Sequence, residues 1–129
     1  MAKILVVDDS KLIVAMLTDV LTSAGHEVKA AYNGAEAIAE LRKEKPDLIF
    51  MDIQMPGIDG HTTAKLISMD RKFENTPIIV FSSLKSPEMM ELSKKVGAVI
   101  HLNKDAGKEK ILYTVDEALK ISDPGRRQI

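Results

Sequence analysis

Cysteine is absent from this chain. That excludes disulfides, thiolate metal sites and thiol catalysis. No apolar run approaches the ~20 residues needed to span a bilayer. The N-terminus lacks a signal-peptide pattern, because Lys3 is followed by a short apolar run that ends in two acids. No membrane association is expected, and the expected location is the cytoplasm. Charge of one sign is not in excess either: 18 Lys and Arg against 19 Asp and Glu leave −1. Such a balance gives no broad attraction to nucleic acid. Internal repeats and low-complexity segments are missing. What remains is 129 residues, 45% hydrophobic and 29% charged, enough for one domain with a real core and too few for two.

Short apolar runs alternate five times with segments of helical period. Ile4–Val7 reads as a strand, followed by a helix over residues 10–24 with Leu12, Ile13, Met16, Leu17, Val20, Leu21 and Ala24 at helical spacing and Gly25 as its stop. Val28–Tyr32 is a second strand. Asn33 with Glu36 is a candidate capping box for a helix whose inner face carries Ala37, Ile38 and Leu41. Leu48–Met51 is the third strand, and a Pro56-Gly57 loop with Asp59 leads to a helix containing Ala64 and Ile67. Pro77 opens a fourth strand, Ile78–Phe81. Ser86-Pro87 starts a fourth helix with Met89, Leu92 and Val96, ended by Gly97. Val99–Leu102 is the fifth strand, and the last helix carries Ile111, Leu112, Val115 and Leu119.

This pattern is α/β, a doubly wound (βα)5 unit with a parallel sheet, right-handed crossovers and helices on both faces. Strands one, three and four are nearly all apolar, as strands buried on both sides are. Strand two alternates, which suits an edge. The Pro-Gly-containing stretch 122–129 is expected to be a flexible tail.

Polar residues stand at the C-terminal ends of the apolar runs: Asp8 and Asp9 after the first, Asp52 after the third, Ser82 after the fourth, and Lys104 just past the fifth. Each alone has a plain explanation: a helix cap, a loop hydroxyl, a surface lysine. In a parallel sheet, however, these ends share one edge, the edge where open α/β folds bind ligands. Carboxylates a few ångströms apart repel by about 4 kcal/mol per pair at an effective dielectric of 20. Raised pKa values, the Lys104 ammonium or a metal must offset this. Mg²⁺ takes few carboxylates and keeps sites for water and phosphate oxygens. Asp9 and Asp52 offer two ligands and a loop carbonyl after Asp52 a third. Asp52 is then a candidate nucleophile toward phosphorus, giving an acyl phosphate, with Ser82 and Lys104 binding the other phosphoryl oxygens.

Four stretches together resemble the receiver domain of two-component response regulators, of the CheY-like, single-domain kind. They are Ile4–Ser10, Asp47–Gly60, Thr76–Ser82, and Gly97-Ala98 leading to Lys104. In order they cover nearly the whole chain and imply a receiver domain over residues 1–121 with strand order 2-1-3-4-5. The resemblance implies that Asp52 is the phosphoacceptor, that Asp8 and Asp9 bind Mg²⁺, and that the Gln54 backbone carbonyl completes the metal site. Ser82 would be the switch hydroxyl and Lys104 its partner in holding the phosphoryl group. Gln54 and Leu84 would line the path of attacking water and set the lifetime of the phosphorylated state. The implied function is a phosphorylation-activated signalling switch, not an enzyme beyond its own phosphorylation and dephosphorylation. The phosphoryl donor would be a sensor histidine kinase or a histidine phosphotransfer protein. The responding face would be the fourth helix, fifth strand and fifth helix, with Lys85, Lys94, Lys95, His101 and Lys110, binding a downstream protein or a second copy. A monomer that dimerises on phosphorylation fits this scheme, and direct nucleic-acid binding does not enter it.

Three positions depart from the family pattern. His101 stands where an aromatic usually turns inward, and is either that switch or a half-exposed strand residue. Asp105 replaces the proline after Lys104, so a trans bond is expected there, with Asp105 as a candidate cap for the last helix. Ser83 replaces a small alanine. An alternative reading is a receiver-like binding module that is independent of phosphate, which the intact acids argue against. A haloacid-dehalogenase-like phosphatase would need Asp-x-Asp after the first strand, and this chain has adjacent acids. A flavodoxin-like cofactor protein would need a Ser/Thr/Gly-rich loop there, and neither that loop nor Gly-x-Gly-x-x-Gly is present.

Overall fold

The structure, a computed structural model, describes residues 2–52, 60–82 and 99–122. Gln54, the Pro56-Gly57 loop, Asp59, Ser83, Leu84, Lys85, the helix predicted from Ser86 to Gly97 with Lys94 and Lys95, and the tail beyond Ser122 lie outside the described residues. The elements are β1 (Lys3–Val7), α1 (Lys11–Ser23), β2 (Glu27–Ala31), α2 (Gly34–Lys43), β3 (Leu48–Met51), α3 (Gly60–Met69), a 3₁₀ turn (Arg71–Phe73), β4 (Ile78–Ser82), β5 (Val99–Asn103) and a last helix (Lys108–Ser122). All five strands are parallel, in the order β2-β1-β3-β4-β5.

Alternation along the strands divides the core in two. Ile4, Val6, Leu48, Phe50, Ile79 and Phe81 face α1 and the last helix, where Val14, Leu17, Leu21, Ile111, Val115 and Leu119 meet them. Leu5, Val7, Ile49, Met51, Ile78 and Val80 face the other way, against Ala37 and Leu41 of α2, Ile67 of α3 and Phe73. Both faces of β3 and β4 are therefore buried, which is why these strands read as continuous apolar runs. Phe50 and Phe81 meet edge to face at 5.9 Å, an arrangement that contributes about 1 kcal/mol beyond area burial.

Helix ends follow local chemistry. Ser10 caps α1 by accepting the Ile13 N–H. At the far end, Gly25 takes φ 89° and places its N–H on Thr22 O, while His26 N–H reaches Leu21 O. This is a Schellman stop, which needs the left-handed conformation that glycine adopts without strain. At α2, Asn33 Oδ1 accepts the Glu36 N–H at 2.8 Å, and Glu36 Oε1 accepts the Tyr32 N–H at 3.0 Å. The predicted capping box is thus present, with the return bond one residue upstream of the cap. Asn33→Ala is expected to cost about 1 kcal/mol, read as a shift in urea midpoint at unchanged m-value.

Several expectations need correction. Leu12 and Ala24 are exposed, and the buried stripe of α1 is Val14, Leu17 and Leu21. Leu12 lies two residues from Val14, about 200° around the helix and so on the solvent side. The second strand runs Glu27–Ala31, not Val28–Tyr32, because Glu27 pairs with Lys3 at the start of β1. The fifth strand continues through Asn103. Asp105 does not cap the last helix: its N–H bonds Asn103 Oδ1 in a turn, and Gly107 O accepts the first helical bond from Ile111. The Lys104–Asp105 bond is trans, as is every peptide bond among the described residues. No helix among these residues is long and apolar enough to cross a membrane.

Candidate functional site

The sheet ladder runs just past the strands and carries the candidate residues with it. Asp8 N–H bonds Ala31 O, Asp52 N–H bonds Val7 O, and Lys104 N–H bonds Ser82 O, at 2.8–3.1 Å. Each backbone is therefore held by its neighbouring strand, and the side chains converge at the C-terminal edge as the parallel topology requires.

Asp8, Asp9 and Asp52 each present a carboxylate oxygen within 4.8 Å of the others. Asp8 and Asp52 are buried, while Asp9 is exposed. Asp8 Oδ1 accepts the Ser10 N–H at 2.9 Å, so this acid also fixes the start of α1. Lys104 Nζ lies 3.1 Å from Asp8 Oδ2 and 3.5 Å from Asp52 Oδ2. Among the described residues, one ammonium faces three carboxylates, so the cluster carries more acid than base. Asp8 Oδ2 is out of solvent and takes Lys104 as an ion-pair partner, but no directed hydrogen bond. A buried carboxylate oxygen with a lone pair to spare, inside a cluster of excess negative charge, is what a hard divalent cation coordinates. The residues present therefore fit a metal such as Mg²⁺.

Ser82 ends β4 and is buried. Because Ser82 O holds Lys104 N–H, the β4 terminus and the lysine-bearing turn are mechanically joined. His101 lies opposite Val80 in the β4–β5 register, half-buried, with Nε2 buried and lacking a hydrogen-bond partner among the described residues. Thus Asp8, Asp9, Asp52 and Lys104 form one cluster, Ser82 is tied to it through the backbone, and His101 sits two residues back along β5. Gln54 and Leu84 lie outside the described residues. Leu12, read from the sequence with the apolar stripe of the first helix, is 78% exposed in the first turn of α1.

The doubly wound parallel sheet carries an acid cluster and a lysine at its C-terminal edge, where open α/β folds bind ligands. The model of the response regulator receiver domain matches residues 4–116, and the chain belongs to that family. It is 35% identical to protein PilH of Pseudomonas aeruginosa over 119 residues, covering 92% of this chain and 98% of PilH. It is 32% identical to sporulation initiation phosphotransferase F of Bacillus subtilis, covering 92% and 94%. Among solved structures it resembles chemotaxis protein CheY4 of Vibrio cholerae, at 37% identity and TM-score 0.83, covering 92% of this chain and 98% of that one. The chain is thus a response regulator receiver domain.

Proposed function

We propose that this receiver domain is a phosphorylation-driven switch in which Asp52 accepts a phosphoryl group from a histidine kinase or a histidine phosphotransfer protein. The observation that supports this most is the joint placement of Asp52 with Asp8, Asp9 and Lys104. An Asp52 carboxylate oxygen attacks phosphorus while the bond from phosphorus to the donor imidazole nitrogen breaks, and the imidazole leaves with that electron pair. Asp8, Asp9 and the Gln54 carbonyl would hold Mg²⁺. When bound, the cation offsets charge on the transferring group and the acids around it. Water later attacks the acyl phosphate, releasing inorganic phosphate and restoring the carboxylate. The resemblance gives Gln54 and Leu84 the control of that water.

The switch follows from charge. Phosphorylation turns a single negative charge at Asp52 into about two on three oxygens. Lys104, now shared between Asp8 and Asp52, gains a stronger partner, and the Ser82 hydroxyl gains an acceptor. Their shared backbone bond makes Ser82 and the Asn103–Asp105 turn move together, carrying β5 and His101. The face that includes β5 and Lys110 would then change its affinity for a downstream protein or a second copy. The ligand must favour the active arrangement by its differential contacts.

Beryllofluoride, which mimics a phosphoryl group on a carboxylate, tests this. With Mg²⁺ present, amide resonances of Ser82, His101 and Lys104 are expected to shift in parallel, while those of β2 stay in place. Independent shifts, or none, would contradict the coupling. Asp9→Asn removes an exposed acid from the cluster and is expected to weaken Mg²⁺ binding at least ~10-fold, measured by calorimetry, with little change in stability because solvent screens the repulsions of this exposed carboxylate.

A further inference from the structure

An apolar depression lies away from the acids, between α2 and α3. Its volume is about 240 Å³, and it is lined by Ile38, Leu41, Leu66, Ile67 and Phe73 with Arg42, Asp70 and Lys72 at the rim. Both helices run back against the strand direction. Their last turns therefore lie toward the N-terminal edge of the sheet, at the opposite end from Asp52. An occupant of this groove leaves the acceptor open.

Two observations say what fits. The first is apolar surface that the fold does not use. Leu66 is 51% exposed and Met69, one turn on, is 72% exposed. Together with the groove they form a strip, where single exposed apolar residues would need no explanation. The second is the sign of the rim. Asp70 is engaged, since its Oδ1 accepts the Lys72 N–H at 2.9 Å. Lys72 reaches across the groove end, with Nζ 3.4 Å from Leu41 O and 5.4 Å from the Phe73 ring centre. Arg42 is exposed and makes no ion pair among the described residues, and Arg71 next to Lys72 is exposed likewise. Within the lining, two cations, Arg42 and Lys72, stand against one acid, Asp70, around an apolar floor flanked by two helices. Such a groove suits a helix with apolar side chains at i, i+3/i+4 and i+7 and carboxylates beside them, which Arg42 can take as a planar fork.

We propose that the α2–α3 groove docks an acidic amphipathic helix of a partner protein, at a site separate from the phosphorylation edge. The probe is a labelled synthetic helix of about 18 residues, with Leu on one face at that spacing and Glu elsewhere. Its counterpart carries Lys in place of Glu. Binding to the full chain is read by fluorescence anisotropy, and the site by amide chemical shifts. The acidic peptide is expected to bind saturably and to shift Ile38, Arg42, Leu66 and Phe73 while leaving Asp9 and Lys104 unmoved. Arg42→Glu and Leu66→Gln change exposed side chains, so both variants should keep their circular dichroism and thermal midpoint, and each should weaken binding at least ~10-fold. Four results would each overturn the proposal: equal binding of the Lys peptide, shifts confined to other surfaces, wild-type affinity in both variants, or no groove shifts up to about 1 mM peptide. So would self-association of the chain that Leu66→Gln abolishes, since the occupant would then be a second copy.

Discussion

Replacing Lys104 by methionine is expected to lower the unfolding free energy by about 2–3 kcal/mol when divalent cations are chelated. The magnitude follows from burial. An exposed ion pair contributes about 0–1 kcal/mol, whereas breaking a buried one costs about 3–5. Here the two acids are 2% and 4% exposed and the lysine 22%, so the cost falls between these limits. Methionine keeps the apolar stem of the side chain, and the loss is of charge more than of packing. Without the ammonium, Asp8, Asp9 and Asp52 face each other with no cation from the described residues within the cluster. Mg²⁺ should then stabilise the variant more than the wild type, because it offsets a larger repulsion. Urea unfolding with chelator and with Mg²⁺ measures both effects. A loss below about 0.5 kcal/mol would mean that Lys104 is an ordinary surface lysine and that the excess charge is dispersed by solvent.

Asp52→Asn is expected to act in opposite directions on function and on stability. Phosphoryl incorporation should vanish, because an amide oxygen is a poor nucleophile and forms no acyl phosphate. Stability without metal should rise by about 1 kcal/mol, since two of the three carboxylate repulsions disappear at nearly constant volume while only one attraction, to Lys104 at 3.5 Å, is lost. The backbone bond from residue 52 to Val7 O is untouched, so the strand should stay in register. This double signature separates loss of chemistry from loss of fold: a variant inactive through misfolding would unfold earlier, not later. Intact mass after exposure to a phosphodonor, together with urea unfolding in chelator, reads the two halves. Residual labelling of Asp52→Asn would move the acceptor to another residue.

Much of this site was legible in the sequence because a parallel sheet sends the ends of all its strands to one edge. Asp8, Asp9, Asp52, Ser82 and Lys104 needed only the recognition of apolar runs to be placed together. The division of contacts was not legible. That Lys104 is shared between Asp8 and Asp52, and that Asp8 also anchors the Ser10 N–H, depends on the turn after β5 and on the approach of α1. Leu12 was misplaced because adjacent apolar residues blur a helical stripe, and only packing against the sheet selects Val14, Leu17 and Leu21. The start of β2 was misread because Glu27 is polar. Backbone pairing to β1 puts it in the strand regardless of its side chain, as happens at an edge. Asp105 looked like a cap by type, but the turn it occupies ends before the helix begins. The basic rim of the α2–α3 groove drew no notice, since Arg42 and Lys72 are far apart in sequence and neither belongs to a motif.

The intact mass of the full chain after incubation with acetyl phosphate, with and without Mg²⁺, tests the central claim most directly. One added phosphoryl group is expected, requiring Mg²⁺ and mapping to the peptide containing Asp52. No adduct under conditions where Mg²⁺ binding and beryllofluoride binding are both measured and found absent would contradict it, leaving a receiver fold that works without phosphate.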